Sequence, residues 1–144
     1  MYVTSSIGPS GHNEGFTVPY DLPNETAYAE TCAAIGIVLW SHRMFLLNGH
    51  SQYIHVLECS LYSGLLSGVS LDGCEFFYVN PLASYGNHHR QPWFGCACCP
   101  TNVVRFVPQV GGYFYATTED SLWGNLYTAN WATVSVADQT VNIC

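Results

Sequence analysis

Apolar residues recur with a helical period through the first half of the chain. Residues 25–47 are apolar on nearly every side, as in a helix buried on most of its surface, and Asn24 is a suitable N-cap for it. Residues 51–66 repeat apolar side chains about every 3.6 residues, which predicts a second helix. Because only residues 48–50 separate the two segments, we expect the helices to be antiparallel neighbours.

The second half of the chain predicts one short helix and several strands. Residues 74–80 have the β-prone composition of a strand that ends before Pro81. Residues 101–110 predict a helix that Gly111 and Gly112 stop. Further β-prone segments, separated by turn residues, follow at 113–116, 121–123 and 126–136.

Two segments are expected to be loops. Residues 1–24 contain three glycines and three prolines among polar residues, and they include Glu14. A glutamate in a loop is solvated by default, but it becomes a candidate acid or base if a pocket closes over it. Residues 82–94 form the second loop, in which we expect His88 and His89 to face solvent.

The composition indicates a piece of a larger structure rather than a free-standing domain. Hydrophobic residues make up 49% of the 144 positions and charged residues only 9%, too few to cover a domain of this size. The net charge of −7, with three lysine plus arginine residues, argues against a nucleic-acid partner. No run of about eighteen apolar residues is present, so no membrane-spanning helix is expected.

The cysteines indicate reduced thiols. Their number, seven, is odd, and three of them fall within residues 96–99, which is not the spacing of a disulfide framework. The first residues show no basic segment followed by an apolar core, so no secretory signal is expected. Together these features predict a reducing, cytoplasmic location.

The cluster Cys96-Ala97-Cys98-Cys99 is the most unusual feature of the sequence. Adjacent cysteines rarely bond to each other, because the small ring strains the peptide and the S–S torsion. Both sulfurs can bind one metal ion if the backbone bends, and Gly95 and Pro100 favour such a bend. Small buried hydrophobic residues are the plainer interpretation of single cysteines, but the Cys-x-Cys-Cys spacing favours metal or thiol chemistry.

Glu30-Thr31-Cys32 places a second pair of possible metal ligands two residues apart. In a regular helix such residues lie about 200° apart and cannot meet at one ion. If both bind, Glu30 must precede a helix that begins near Thr31, itself a good N-cap, which conflicts with a helix from residue 25. A carboxylate and thiolates would form a ligand set that zinc prefers, from Glu30, Cys32, Cys98 and Cys99.

Three segments resemble the β-L-arabinofuranosidases of glycoside hydrolase family 127: Glu30–Gly36, Phe77–Leu82 and Trp93–Asn102. They occur in the order of that family with similar separations, and the resemblance extends over almost the whole chain. Members are several times longer, with an (α/α)6 barrel of helical hairpins followed by β-sandwich domains. The resemblance implies a mainly α fold in which residues 1–112 are part of the catalytic barrel. Residues 113–144 would then be strands at the start of a β-sandwich region.

The resemblance also implies a function and its residues. It implies a retaining glycoside hydrolase that releases β-L-arabinofuranose from a carbohydrate substrate with a zinc-bound cysteine nucleophile. The implied zinc ligands are Glu30, Cys32, Cys98 and Cys99, the nucleophile is Cys98, the acid/base is Glu14, and the residue beside the nucleophile is Tyr78. Cys96 lies outside the implied metal shell. Because the rest of the barrel is missing from the chain, the chain alone is expected to be inactive.

Two other functions stay open from the residues themselves. Four protein ligands leave no open position on zinc, which is typical of a structural zinc site. A redox or metal-handling module is suggested by Cys-x-Cys-Cys taken alone. Neither alternative needs Glu14 or Tyr78.

Overall fold

The computed structural model describes residues 1–144 as two compact units, Met1–Phe106 and Val107–Cys144. The first unit contains three α-helices, which are α1 (Thr31–Asn48), α2 (Ser51–Cys59) and α3 (Cys98–Phe106). Shorter helical turns lie at His12–Glu14, Ser60–Leu65 and Leu66–Gly68. None of the helices has both the length and the apolar character needed to cross a lipid bilayer.

Helices α1 and α2 pack against each other, which confirms that they are neighbours. At the end of α1, Gly49 adopts a left-handed conformation (φ 69°) and its N–H donates to Phe45 O at 2.7 Å. Such a glycine cap lets the chain change direction, and α2 begins two residues later. The helical conformation continues through Leu66, the predicted end, as a π-helical turn (Ser60–Leu65) followed by a 3-10 turn (Leu66–Gly68). The largest fully buried side chains here are aliphatic, among them Val38, Leu57 and Leu61.

Helix α1 begins at Thr31, so the helix predicted from residue 25 is wrong over its first six residues. The competing expectation of a break before Thr31 is confirmed, because Glu30 is extended (φ −60°, ψ 139°). Residues 28–31 pair with residues 77–80, where Thr31 N donates to Tyr78 O at 3.0 Å and Asn80 N donates to Tyr28 O at 3.2 Å. Thr31 is the first helical residue rather than the N-cap, and its hydroxyl donates to Phe77 O.

Residues 74–80 do not form the regular strand that their composition predicts. Phe76 forms isolated bridges with Val69 and Gln91, and Val79 forms one with Glu30. The segment therefore pairs residue by residue with three different parts of the chain, and no partner strand runs alongside it.

In the loop 82–94, the expectation for His88 is wrong and that for His89 is confirmed. His88 is half-buried, with its Nε2 2.9 Å from Val79 O and its ring stacked on Phe77 at 4.5 Å. His89 is exposed. The His88 ring thus supports the segment that pairs with the start of α1.

The third helix begins at Cys98, three residues earlier than predicted. Pro100 fits in its first turn because the first amide groups of a helix have no intrahelical acceptor. Gly111 and Gly112 do not stop the helical conformation, since a 3-10 helix spans Val107–Tyr113 in the second unit.

The second unit contains two small antiparallel sheets. Strands β1 (Tyr115–Thr117) and β2 (Leu122–Gly124) form one, and β3 (Ala132–Val136) and β4 (Gln139–Ile143) form the other. The strand within 126–136 is shorter than predicted. Strand β4 lies outside the β-prone segments, although it falls within residues 113–144, which the resemblance implies are strands. A two-residue turn, Ala137 and Asp138, joins β3 and β4 with positive φ at both positions, as in a type I′ turn.

Two glycines in the first unit are expected to respond in opposite ways to alanine. A Cβ at Gly64 would lie 2.7 Å from Ser6 Oγ, and Ser6 is fully buried, so Gly64→Ala should destabilise the fold by about 1–3 kcal/mol. At Gly36, inside α1, nothing lies within 4 Å, so Gly36→Ala should stabilise it by about 0.5–1 kcal/mol. Melting temperatures of a longer protein that carries the chain would measure both effects. Shifts of the same sign would contradict the packing at Gly64.

Candidate metal centre

The starts of two helices bring four possible metal ligands together. Glu30 is the extended residue directly before α1, and Cys32 is the second residue of that helix. Cys98 and Cys99 are the first two residues of α3, which packs against α1. Inside a helix, Glu30 and Cys32 would point in nearly opposite directions. Because Glu30 is not helical, its carboxylate can lie on the same side as the Cys32 sulfur.

The four ligand atoms form a compact group. Glu30 Oε1 lies 3.4 Å from both Cys98 Sγ and Cys99 Sγ. Cys99 Sγ lies 3.4 Å from Cys32 Sγ and 3.8 Å from Cys98 Sγ. All four ligand atoms lie within 4.8 Å of one another.

These separations fit a zinc ion. Zn–S bonds of about 2.3 Å and Zn–O bonds of about 2.1 Å in a tetrahedron separate the ligand atoms by roughly 3.6–3.8 Å. Three sulfurs and one carboxylate are also a donor set that zinc prefers. Cys99 is fully buried and Glu30 is 8% exposed, and a buried carboxylate beside ionised sulfurs is costly without a cation. The group can therefore hold one divalent ion.

Burial controls the protonation of two of the thiols. Burial raises the pKa of Cys32 to about 12, although the hydrogen bond from Asn102 acts in the opposite direction. Burial, followed by the contact with Cys32, also raises the pKa of Cys99 above its ordinary value. Without a cation both groups are thiols at neutral pH, whereas a metal-bound thiol is deprotonated.

Tyr78 contacts one of the four ligands directly. Its Oη lies 2.9 Å from Cys98 Sγ, and its ring meets Phe94 edge-on at 5.5 Å. The contact with Cys98, followed by burial, raises the pKa of Tyr78 above its usual value. Tyr78 therefore remains a phenol and can donate a hydrogen bond to an ionised Cys98 sulfur.

Glu14 lies outside the metal group and is linked to it through two tyrosines. It is exposed at the end of the 3-10 turn His12–Glu14. Its Oε1 accepts a hydrogen bond from Tyr28 Oη at 3.1 Å. The Tyr28 ring lies 6.4 Å from the ring of Tyr78, which in turn contacts Cys98. Cys96 is exposed and is not one of the four grouped residues.

A network of hydrogen bonds fixes Glu30 relative to Tyr78. Asn80 Nδ2 donates to Ala29 O and to Thr31 Oγ1, both at 3.0 Å. Thr31 Oγ1 donates to Phe77 O at 2.8 Å. Ala29, which is fully buried, has φ 38°, a conformation that costs free energy and persists only where the surroundings impose it.

Sequence reasoning missed two residues that contact this site. Asn102 Nδ2 donates to Cys32 Sγ at 3.3 Å, and Tyr28 donates to Glu14. Asn102 lies four residues after Cys98, so it shares a helix face with Cys98 only if the helix begins at Cys98. A helix that begins at residue 101, as predicted, does not include Cys98 and therefore does not place Asn102 on the same face as Cys98. No local pattern marks Tyr28, because its contacts are with distant segments.

Zinc binding to the metal-free protein is expected to release protons. At pH 7 about two or more protons should leave per ion, because Cys32 and Cys99 start as thiols, and the affinity should fall as the pH is lowered. Calorimetry in buffers of different ionisation enthalpy measures this number. Cys99→Ala should weaken binding at least about tenfold, whereas Cys74→Ser, at an exposed cysteine outside the group, should not. Zinc binding without proton release, or unchanged in Cys99→Ala, would exclude this ligand set.

Comparison with known proteins identifies relatives of the chain. The family model described as the catalytic domain of glycoside hydrolase family 127, β-L-arabinofuranosidase, matches residues 1–112. The non-reducing end β-L-arabinofuranosidase of Bifidobacterium longum subsp. longum is 41% identical over 126 residues, which cover 80% of this chain and 19% of that protein.

Solved structures of the same family are also similar. A family 127 β-arabinofuranosidase is 52% identical with a TM-score of 0.96, and covers 99% of this chain and 22% of its own. A family 127 β-L-arabinofuranosidase from Geobacillus stearothermophilus is 42% identical with a TM-score of 0.91, over 99% of this chain and 24% of its own. The chain thus spans about a fifth of the length of these relatives. It belongs to glycoside hydrolase family 127, the β-L-arabinofuranosidase family.

Proposed function

We propose that the chain is part of a retaining glycoside hydrolase that releases β-L-arabinofuranose, with Cys98 as a zinc-bound nucleophile and Glu14 as the acid/base. The observation that carries the proposal is the position of Cys98. Its sulfur belongs to the four-atom metal group and also lies 2.9 Å from Tyr78 Oη. Membership of the family supports a carbohydrate substrate.

The ionised sulfur is the first requirement of the mechanism. Zinc held by Glu30, Cys32, Cys98 and Cys99 would keep the Cys98 sulfur deprotonated at neutral pH. Tyr78 orients that sulfur through its phenol and donates a hydrogen bond that stabilises the negative charge.

The reaction then takes two displacements. In the first, Cys98 Sγ bonds to the anomeric carbon, the bond to the leaving oxygen breaks, and that oxygen takes its electron pair and the Glu14 proton. In the second, water bonds to the anomeric carbon and gives a proton to Glu14, while the C–S bond breaks and the electron pair returns to sulfur. Two inversions retain the anomeric configuration. Glu14 is proton donor first and acceptor afterwards, as the acid/base of an ordinary retaining enzyme is, and the Cys98 sulfur replaces the second, nucleophilic carboxyl group.

The architecture around this site is part of the same proposal. Residues 1–112 form part of an (α/α)6 barrel, and residues 113–144 are the strands that lead into a β-sandwich region. The high TM-scores to relatives several times longer support this placement. All seven cysteines are unpaired, which supports a reducing, cytoplasmic location.

A structural zinc site is the second candidate. Four protein ligands that close around an ion leave no position for substrate, and this arrangement is typical of structural zinc. A structural site, like a redox or metal-handling module, does not need Glu14. Substitution of Glu14 therefore separates these functions from hydrolysis.

Two exposed glutamates provide a matched test of the acid/base. Glu14 and Glu25 each accept a hydrogen bond from a tyrosine, Tyr28 and Tyr85 respectively. In a longer protein that carries the chain, Glu14→Gln should lower turnover of an aryl β-L-arabinofuranoside by about 10²–10⁴-fold. Zinc content should not change, and Glu25→Gln should remain active. Full hydrolysis by Glu14→Gln with zinc retained would remove Glu14 from the mechanism.

The chain expressed alone is expected to aggregate and to be inactive. Large apolar side chains on its helices face solvent, among them Trp40 (53% exposed), Leu47 (78%) and Val104 (62%). Several large apolar side chains exposed to this extent are consistent with a surface that another part of the protein covers. Size-exclusion chromatography and binding of a hydrophobic dye would test this, with the longer protein as the control. A monodisperse, cooperatively melting and active 144-residue chain would contradict it.

A further inference from the structure

The turn that carries Glu14 has an uncommon backbone conformation. Asn13 and Glu14 have φ values of 55° and 50°, in the left-handed region that residues other than glycine avoid. Residues 11–14 are all exposed, so no core packing imposes this conformation. A conformation of this kind persists where other contacts hold it.

Tyr28 makes contact with both ends of this turn. At one end its Oη donates to Glu14 Oε1 at 3.1 Å. At the other end its ring lies against Gly11, where a Cβ would be 3.0 Å from Cδ2 and 3.2 Å from Cε2. The backbone of Gly11 itself (φ −73°, ψ −11°) would accept any residue, so the close approach of the ring is what requires glycine there.

Tyr28 is itself fixed to the segment that carries the metal ligands. Its carbonyl accepts from Asn80 N at 3.2 Å, and the next residue, Ala29, donates from its N–H to Gly8 O at 2.8 Å. Glu30 follows two residues after Tyr28. The Tyr28 ring lies 6.4 Å from that of Tyr78, whose hydroxyl is 2.9 Å from Cys98 Sγ.

We propose that Tyr28 is a positioning residue that holds the Glu14 carboxylate in register with the Tyr78–Cys98 pair. The inference rests on the proposed function, because it assigns Tyr28 a role only if Glu14 is the acid/base. The Tyr28 hydroxyl occupies Oε1 and leaves Oε2 for the proton that moves to the leaving oxygen and later comes from water. One side chain thereby sets both the place of the carboxylate and which of its oxygens reacts.

The position of the Glu14 carboxylate has a kinetic consequence. If the Tyr28 hydroxyl sets where that carboxylate lies, its loss displaces the proton donor from the leaving oxygen. A poor leaving group depends most on that proton, so the loss of rate should increase as the leaving group becomes poorer.

The test is Tyr28→Phe in a longer protein that carries the chain. Two aryl β-L-arabinofuranosides serve as probes, one with a nitrophenyl and one with a methoxyphenyl leaving group. The methoxyphenyl group is the poorer leaving group, so its departure depends more strongly on protonation of the leaving oxygen. We expect kcat for the methoxyphenyl substrate to fall by about 10–100-fold, with a smaller fall for the nitrophenyl substrate and little change in KM. Zinc content should stay unchanged.

Two further variants complete the comparison. Gly11→Ala presses a methyl group against the Tyr28 ring without altering the hydroxyl, and it should change the same readouts in the same direction. Tyr2→Phe is the matched control, because Tyr2 Oη donates a 3.1 Å hydrogen bond to Pro23 O, away from Glu14. It should leave the leaving-group dependence unchanged. If Tyr28→Phe does not fold, Gly11→Ala decides by the same measurements.

The two levels of the proposal fail in different ways. In the Glu14→Gln background, Tyr28→Phe should have little further effect, because both changes act on one proton transfer. If Glu14→Gln shows no leaving-group dependence, the proposed function fails. If Glu14→Gln shows it while Tyr28→Phe and Gly11→Ala behave like Tyr2→Phe, only the role of Tyr28 is overturned.

Discussion

The pairing of residues 28–31 with residues 77–80 is the constraint on which the site depends. The pairing consists of only a few hydrogen bonds, yet it holds Glu30 in an extended conformation directly before α1 begins at Thr31. If the helix began earlier, Glu30 and Cys32 would point to opposite sides and the four-atom group could not form. The same pairing places the Tyr78 hydroxyl beside the Cys98 sulfur. A short stretch of backbone therefore sets the geometry of both the metal ligands and the phenol.

The residues of the metal group could be predicted because their spacing leaves few alternatives. Two ligands separated by one residue cannot share an ion within a helix, so the triplet Glu30-Thr31-Cys32 predicts a helix start that the apolar pattern of residues 25–47 does not show. The structure confirms that break. Steric and angular requirements at this point were more informative than the distribution of apolar side chains, which cannot tell a buried helix from a buried extended segment.

The features that could not be predicted depend on contacts between distant segments. The partners of Phe76, Val79 and His88 come from separate parts of the chain, so neither the isolated bridges nor the half-buried imidazole has a local signal. The local sequence pattern did not indicate strand β4, because Ala137 and Asp138 are not a typical hairpin dipeptide, although both adopt positive φ. In each case tertiary pairing overrides a local preference.

The first turn of α3 has a consequence for the charge on sulfur. Cys98 and Cys99 are its first two residues, and the free N–H groups at the start of a helix give that end a partial positive charge. Such an end favours negative charge placed near it, as other helix N-termini do when they hold anions. The backbone at the start of α3 would therefore act in the same direction as a cation held by the four ligands.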